Sequence, residues 1–257
     1  MLFRSPPWVE RLVLAADQFL VARTTVRPRA QGTGGVGAER GGQTILAGYP
    51  WFGDWGRDTM ISLPGLTLVT GRPAIAKQIL RTYAGVVDRG MLPNRFPEDG
   101  APLGEGDYNT VDATLWFVEA VRHTHAATGD GALIHELFPV LREIIEAHCR
   151  GTRHGIQRDA VDGLLRAGVE GSQLTWMDAK VNGEVITPRI GKPVEVNVLW
   201  HGALRTMACF AELCDASGEE YVALAAEARQ GFQRFWNPAT GCCWEIGRAH
   251  VWTPVTL

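Results

Sequence analysis

At 257 residues, 46% hydrophobic and 21% charged, the chain has enough apolar mass for one large core, and its composition excludes disorder. A net charge of −3 without basic runs excludes nucleic acid and anionic membrane surfaces as partners; no apolar run reaches the ~20 residues of a membrane span, and residues 1–7 lack a signal core. Five cysteines (Cys149, Cys209, Cys214, Cys242, Cys243) are odd in number and lack zinc-type spacing; they read as reduced, buried thiols of a cytoplasmic protein.

Val9, Leu12, Ala16, Phe19 and Leu20 recur at helical spacing, which predicts an amphipathic helix over residues 9–22. Residues 23–42, rich in Gly, Arg and Thr, read as a loop, with a short strand over residues 44–47. A helix apolar nearly all round follows over residues 57–69, kinked at Pro64. Ile75, Ile79, Leu80, Tyr83, Val86 and Val87 then form one stripe of an amphipathic helix. A polar loop over residues 90–109, carrying Asn94, Arg95, Glu98, Asp99, Glu105 and Asp107, leads to a second all-apolar helix over residues 110–121. The pair repeats: Leu133 to Ile145 stripe an amphipathic helix, residues 151–193 form a long loop, residues 194–213 a third apolar helix, and Tyr221 to Phe235 a third amphipathic one.

Buried and half-exposed helices alternate, with short connections in one direction and long polar ones in the other. Two concentric helix rings explain this, because inner helices are covered on all sides and outer helices on one. The expected fold is therefore an all-α (α/α) toroid with its three long loops at one end. An open solenoid would show a fixed repeat, and none is visible.

Those loops hold the chemistry. Residues 48–58 pack Tyr49, Trp51, Phe52 and Trp55 with Asp54, Arg57 and Asp58, the mixture that lines a sugar pocket: rings stack on apolar sugar faces while carboxylates and guanidinium bind hydroxyls. The same Arg57 and Asp58 also suit a plain helix start. In the second loop Asn109 is either a cap or a ligand contact, and Asp112 lies one turn from Trp116 on the same face. In the third, Asp178, beside Trp176 and Met177, is the candidate general acid, since partial desolvation favours a protonated carboxyl; the alternative is a surface pair with Lys180. Glu195 and Asn197 are hydroxyl ligands or ordinary polar residues of a helix start, and Trp200 is core or platform. His148 and His201 read as helix residues, with no metal spacing among the histidines.

Gly48-Tyr-Pro-Trp-Phe-Gly-Asp-Trp-Gly-Arg-Asp-Thr, Tyr108-Asn-Thr-Val-Asp-Ala-Thr-Leu-Trp-Phe, Gln173-Leu-Thr-Trp-Met-Asp-Ala-Lys and Thr187-Pro-Arg-Ile-Gly-Lys-Pro-Val-Glu-Val-Asn resemble, in this order, the glucosidase domain of glycogen debranching enzymes of the bacterial and archaeal type. The resemblance implies a glucoamylase-like (α/α)6 toroid, incomplete at about seven of twelve helices, over residues 1–245. It implies inverting hydrolysis of α-1,6-linked glucose stubs in glycogen or a branched α-glucan oligosaccharide, without metal or organic cofactor. By the same similarity Arg57 and Asp58 hold the terminal glucose and Asp178 is the acid. Trp55, Asn109, Asp112, Trp176, Lys180, Arg189, Glu195 and Asn197 are the remaining expected substrate contacts. The family's general base, a Glu on a later segment, has no match here, and residues 246–257 read as a non-native tail; the chain is expected to be a fragment, inactive alone. Other inverting toroid glucosidases of the glucoamylase or trehalase type, or a non-catalytic carbohydrate-binding protein, are the alternatives.

Overall fold

A computed structural model describes residues 6–26, 38–97, 101–244 and 246–247. Of the residues named above, Glu98, Asp99 and residues 248–257 of the expected tail lie outside this description. Helix α1 (Pro7–Asp17) stops short of the expected residue 22. The β-branched run that follows forms strand β1 (Leu20–Val26), antiparallel to β2 (Ala38–Ile45), with Leu20 opposite Ile45 and an irregularity between Arg23 and Thr25. The ends of the expected loop, residues 23–26 and 38–42, are thus paired strands, since β-branched residues favour extended backbone; residues 27–37 lie outside the described residues.

The hairpin is fastened by a file of hydroxyls. Thr44 Oγ1 and Tyr83 Oη lie 3.3 Å apart, Tyr83 donates to Thr59 Oγ1 at 3.0 Å, and Thr59 donates to the Ile45 carbonyl at 3.3 Å. All four residues are buried, so each link satisfies a group that would otherwise be desolvated without a partner.

Helix α2 (Gly56–Leu63) continues as one π-helical turn, Pro64–Leu68, and Pro64, lacking an N–H, stands where the helical register widens. Burial on all sides is not observed: Asp58, Ile61, Gly65 and Val69 leave one face open, Ile61 at 48% and Val69 at 83% exposure. Helices α3 (Pro73–Ala84), α4 (Asp112–Thr128), α5 (Gly131–Arg150), α6 (Val194–Leu213) and α7 (Glu219–Phe232) follow, giving seven α-helices among the described residues. Asp130 caps α5, accepting from the Leu133 amide at 3.2 Å, and pairs with Lys77 at 2.6 Å.

The helices form two layers. In one, α4 lies between α2 and α6; in the other, α3, α5 and α7 pack behind them. Residues 111–115 of α4 and its preceding turn are buried without exception, as its all-round apolar pattern requires, whereas α6 keeps an open face with Val198 54% exposed. Trp200 belongs to the core: its side chain is fully buried, its indole N–H donates to Gly163 O at 3.1 Å, and it stacks on His148 at 6.0 Å. The cysteines correct the expectation of buried thiols, since Cys209, Cys242 and Cys243 are exposed and Cys149 and Cys214 intermediate, all of them free.

The long loops precede α2, α4 and α6. The third is not featureless: antiparallel pairs join β3 (Gln157–Arg158) to β4 (Leu165–Arg166) and β5 (Lys180–Val181) to β6 (Glu184–Val185). Strand β7 (Gly191–Lys192) pairs with Ile246 and Gly247, the first two residues assigned to the tail.

Candidate functional site

The three loops meet over the N-termini of α2, α4 and α6. The Gly56 amide donates to Asn94 O at 2.8 Å, Phe96 N to Asp54 O at 3.3 Å, and Val111 N to Leu174 O at 2.9 Å, so each loop is tied to another by its backbone. Gly56 is the glycine this crossing requires, since a Cβ there would stand 2.2 Å from Pro93 O. Arg23, reaching in from β1, donates to Asp54 Oδ1 at 2.9 Å and Pro97 O at 3.1 Å and lies 4.2 Å over the Phe96 ring. Asp54, 3% exposed, is therefore part of the frame. Sequence reading missed Arg23 because it fell in a segment expected to be irregular.

At the centre stands Arg57. Its Nε lies 2.9 Å from each oxygen of Asp112 and its Nη2 2.8 Å from Oδ1, while Nη2 also reaches Thr110 Oγ1 at 3.3 Å and the Leu174 carbonyl at 3.4 Å. Thr110 in turn donates to Asp112 Oδ1 at 2.8 Å and accepts from the Ala113 amide at 3.2 Å. The guanidinium is locked on two edges; its remaining nitrogen, Nη1, faces Asp178 Oδ2 at 3.8 Å. Two segments 121 residues apart, counting from Arg57 to Asp178, thus present a fixed cation and a carboxyl to the same space.

Asp178 is half exposed, its side chain at 49%, and Trp176 beside it is 57% exposed. Asp58, although it lies on the open face of α2, has its carboxyl raised above the usual carboxylate range by partial desolvation, against the pull of Arg57 and with the charges of Asp112 and Asp178 adding to the rise. Asp178, Asp112, Asp58 and Arg57 form one electrostatic group.

The expected contacts divide. Arg57, Asp58 and Asp178 come together here, Trp176 is exposed two residues before Asp178, and Trp55 precedes α2 directly, bridged to Arg95. Asn109 is exposed, and the capping of α4 falls to Thr110, which leaves the Asn109 amide to solvent. Lys180 is exposed and donates to Gly171 O at 3.3 Å, so a surface pair of Asp178 with Lys180 is not what the structure shows. Asp112 and Asn197, 2% and 1% exposed, turn inward: Asp112 grips Arg57, while Asn197 accepts from Leu165 N at 2.7 Å and donates to Leu165 O and Pro193 O at 3.0 Å. Burial and complete hydrogen bonding give both to the frame rather than to a pocket wall. Arg189 forks onto Glu195 at 2.5 and 2.7 Å. No cluster of three or more His, Cys, Asp or Glu with metal-holding geometry occurs among the described residues, and none of their helices is long and apolar enough to cross a membrane.

Residues 14–251 match the family described as Amylo-alpha-1,6-glucosidase, a match that runs into the stretch read as a tail. The glycogen debranching enzyme of Saccharomyces cerevisiae is 27% identical over an alignment covering 63% of this chain and 14% of that protein. The chain thus spans about one seventh of the length of this curated relative. Among solved structures, the GH78 family rhamnosidase of Bacillus sp. GL1 aligns with a TM-score of 0.51 at 19% identity, over 73% of this chain and 18% of its own. The rhamnosidase from Klebsiella oxytoca with rhamnose bound aligns with a TM-score of 0.51 at 20% identity, over 76% of this chain and 35% of its own. These two likenesses concern the helical fold alone.

Proposed function

The chain belongs to the amylo-alpha-1,6-glucosidase family, and from that premise we propose that it carries the glucose-holding and proton-donating part of an inverting glycoside hydrolase that removes α-1,6-linked glucose stubs from glycogen or a branched α-glucan. The observation that supports the proposal is the 3.8 Å approach of Arg57 Nη1 to Asp178 Oδ2, which sets the Trp55-Gly-Arg-Asp segment beside the carboxyl of the third loop.

Glycoside cleavage needs a carboxylic acid that protonates the departing oxygen and a carboxylate that activates water on the opposite face of the ring. Asp178 takes the first role. Arg57 and Asp58 hold hydroxyls of the terminal glucose, with Trp55 and Trp176 offering ring faces and Asn109 and Lys180 polar contacts at the rim. The second carboxylate is assigned to a Glu with no match among these residues. In this reading the two helical layers are part of an (α/α)6 toroid, the open faces of α2 and α6 are where further helices pack, and the protein works in the cytoplasm without metal or organic cofactor.

Calorimetric titration with isomaltose and with the glucose-shaped amine deoxynojirimycin tests the reading. The chain is expected to bind both, Asp178→Asn to keep isomaltose binding, and Arg57→Lys to lose it. No saturable binding of either ligand by the unaltered chain would overturn the proposal. With an acid but no base assigned, the polypeptide alone is expected to release no glucose from limit dextrin; release at a rate like that of a debranching enzyme would refute that assignment.

A further inference from the structure

We infer that Thr175, Arg189 and Glu195 are a brace that positions Asp178, and not sugar ligands; this deepens, and rests on, the reading of Asp178 as proton donor. Among the described residues, no hydrogen bond holds the Asp178 side chain. Its side chain is half exposed, and its nearest cation, Arg57 Nη1, stands at 3.8 Å, beyond hydrogen-bond distance. A catalytic carboxyl nevertheless has to hold its place to within a fraction of an ångström. The backbone just before it supplies that.

Leu174 and Thr175, 5% and 3% exposed, are the buried part of a stretch whose other residues are exposed or half-exposed. On one side the Leu174 carbonyl accepts from the Val111 amide at 2.9 Å and from Arg57 Nη2 at 3.4 Å, which ties the turn to the start of α4. On the other, Thr175 Oγ1 accepts from the Met177 amide at 3.3 Å, closing a hydroxyl turn that aims residues 176–178, and from Arg189 Nη1 at 3.2 Å. Arg189, its side chain 4% exposed, is forked onto Glu195 in the first turn of α6 at 2.5 and 2.7 Å. The turn bearing Asp178 is therefore slung between two helices that pack on each other, and one threonine hydroxyl carries the α6 side of the sling. An arginine whose two terminal nitrogens are forked onto a carboxylate while one of them also donates to a hydroxyl is a rigid strut, and the Arg189 charge is paired with Glu195.

Thr175→Val keeps the shape and removes the shared acceptor; Thr175→Ser keeps the acceptor. Hydrogen exchange resolved to single amides in the 257-residue chain is expected to show the Met177 amide exchanging about tenfold faster in Thr175→Val, with α4 and α6 unchanged and Thr175→Ser restored to the parent rate. Affinity for deoxynojirimycin, whose ammonium pairs with a placed carboxylate, is expected to fall about fivefold in Thr175→Val and to recover in Thr175→Ser, while affinity for glucose stays the same. Unchanged exchange over residues 175–178 in Thr175→Val, or a serine variant that restores nothing, would overturn the brace. Should the valine variant lose protection throughout, Glu195→Gln replaces it: faster exchange confined to residues 175–178 supports the brace, and parent-like exchange there overturns it. If the parent chain fails to bind the amine, the assignment of Asp178 falls while the exchange measurement still judges the brace.

Discussion

Asp112 grips Arg57 with both carboxylate oxygens, each 2.9 Å from Nε, and the grip turns the free nitrogen Nη1 toward Asp178. Removing one partner of such a buried pair leaves an uncompensated charge, which costs about 3–5 kcal/mol where both groups are buried. The side chains here are 11% and 3% exposed, so Asp112→Ala is expected near the lower end of that range. Urea unfolding of the variant measures it, and a loss under ~1 kcal/mol would contradict the role given to the pair.

At Gly56 the limit is space. A methyl group there would lie 2.2 Å from the Pro93 carbonyl oxygen, a backbone atom that cannot swing aside. Gly56→Ala is expected to destabilise the chain by about 2 kcal/mol or more by prising the second loop off α2. Thermal unfolding checks this, and hydrogen exchange at the Gly56 amide position and at Asn94 shows whether the loss is local.

Trp176 offers the opposite case. It is 57% exposed, so Trp176→Ala should change stability by no more than ~0.5 kcal/mol while lowering isomaltose affinity several-fold through the lost ring face. Parallel calorimetry and thermal unfolding separate the two effects. Equal affinity would remove Trp176 from the sugar site.

His148 contributes a pH dependence to the stability. Burial against Trp200 pushes it down to about 4, Nδ1 donates to Ile144 O at 2.8 Å, and Nε2 has no partner, so the neutral ring is the form that folding accepts. A lowered value in the folded state means that this contribution is complete above the unfolded value of 6.5 and is lost as pH falls from there toward 4, by about 3 kcal/mol in all. Urea midpoints at pH 7.5 and 4.5 should differ accordingly, and His148→Leu should flatten the difference. Asp58, raised by partial desolvation, works in the other direction, favouring the folded chain as pH falls.

Ile61 and Val69 on α2, 48% and 83% exposed, and Val198 on α6, 54% exposed, put apolar surface on open helix faces. The isolated chain is expected to self-associate through them. Ile61→Lys with Val69→Glu should lower the sedimentation-derived mass at equal concentration; an unchanged mass would locate the association elsewhere.

Much of this was legible from local pattern. Residues 194–213 form one helix as read, three long loops precede α2, α4 and α6, and the loop-borne motifs do converge. Beyond the short strand read at residues 44–47, the pairing of β1 with β2 was not legible, because it depends on a partner distant in sequence and on the hydroxyl file from Thr44 to Thr59. The small strands of the third loop escaped notice for a similar reason: two-residue ladders leave no periodicity.

The alternation of helices and the kinds of side chain gathered at one end can be read from amino-acid order alone, since burial period and loop length are properties of neighbouring residues. Which partner each of those side chains meets depends on the folded chain. Asp112 and Asn197 look like sugar ligands in a motif, yet they turn inward, and Arg57 is fixed in part by the carbonyl of Leu174, 117 residues away. A polar side chain's role follows from which partner reaches it first, and here those partners come from segments too distant along the chain for any local pattern to reveal.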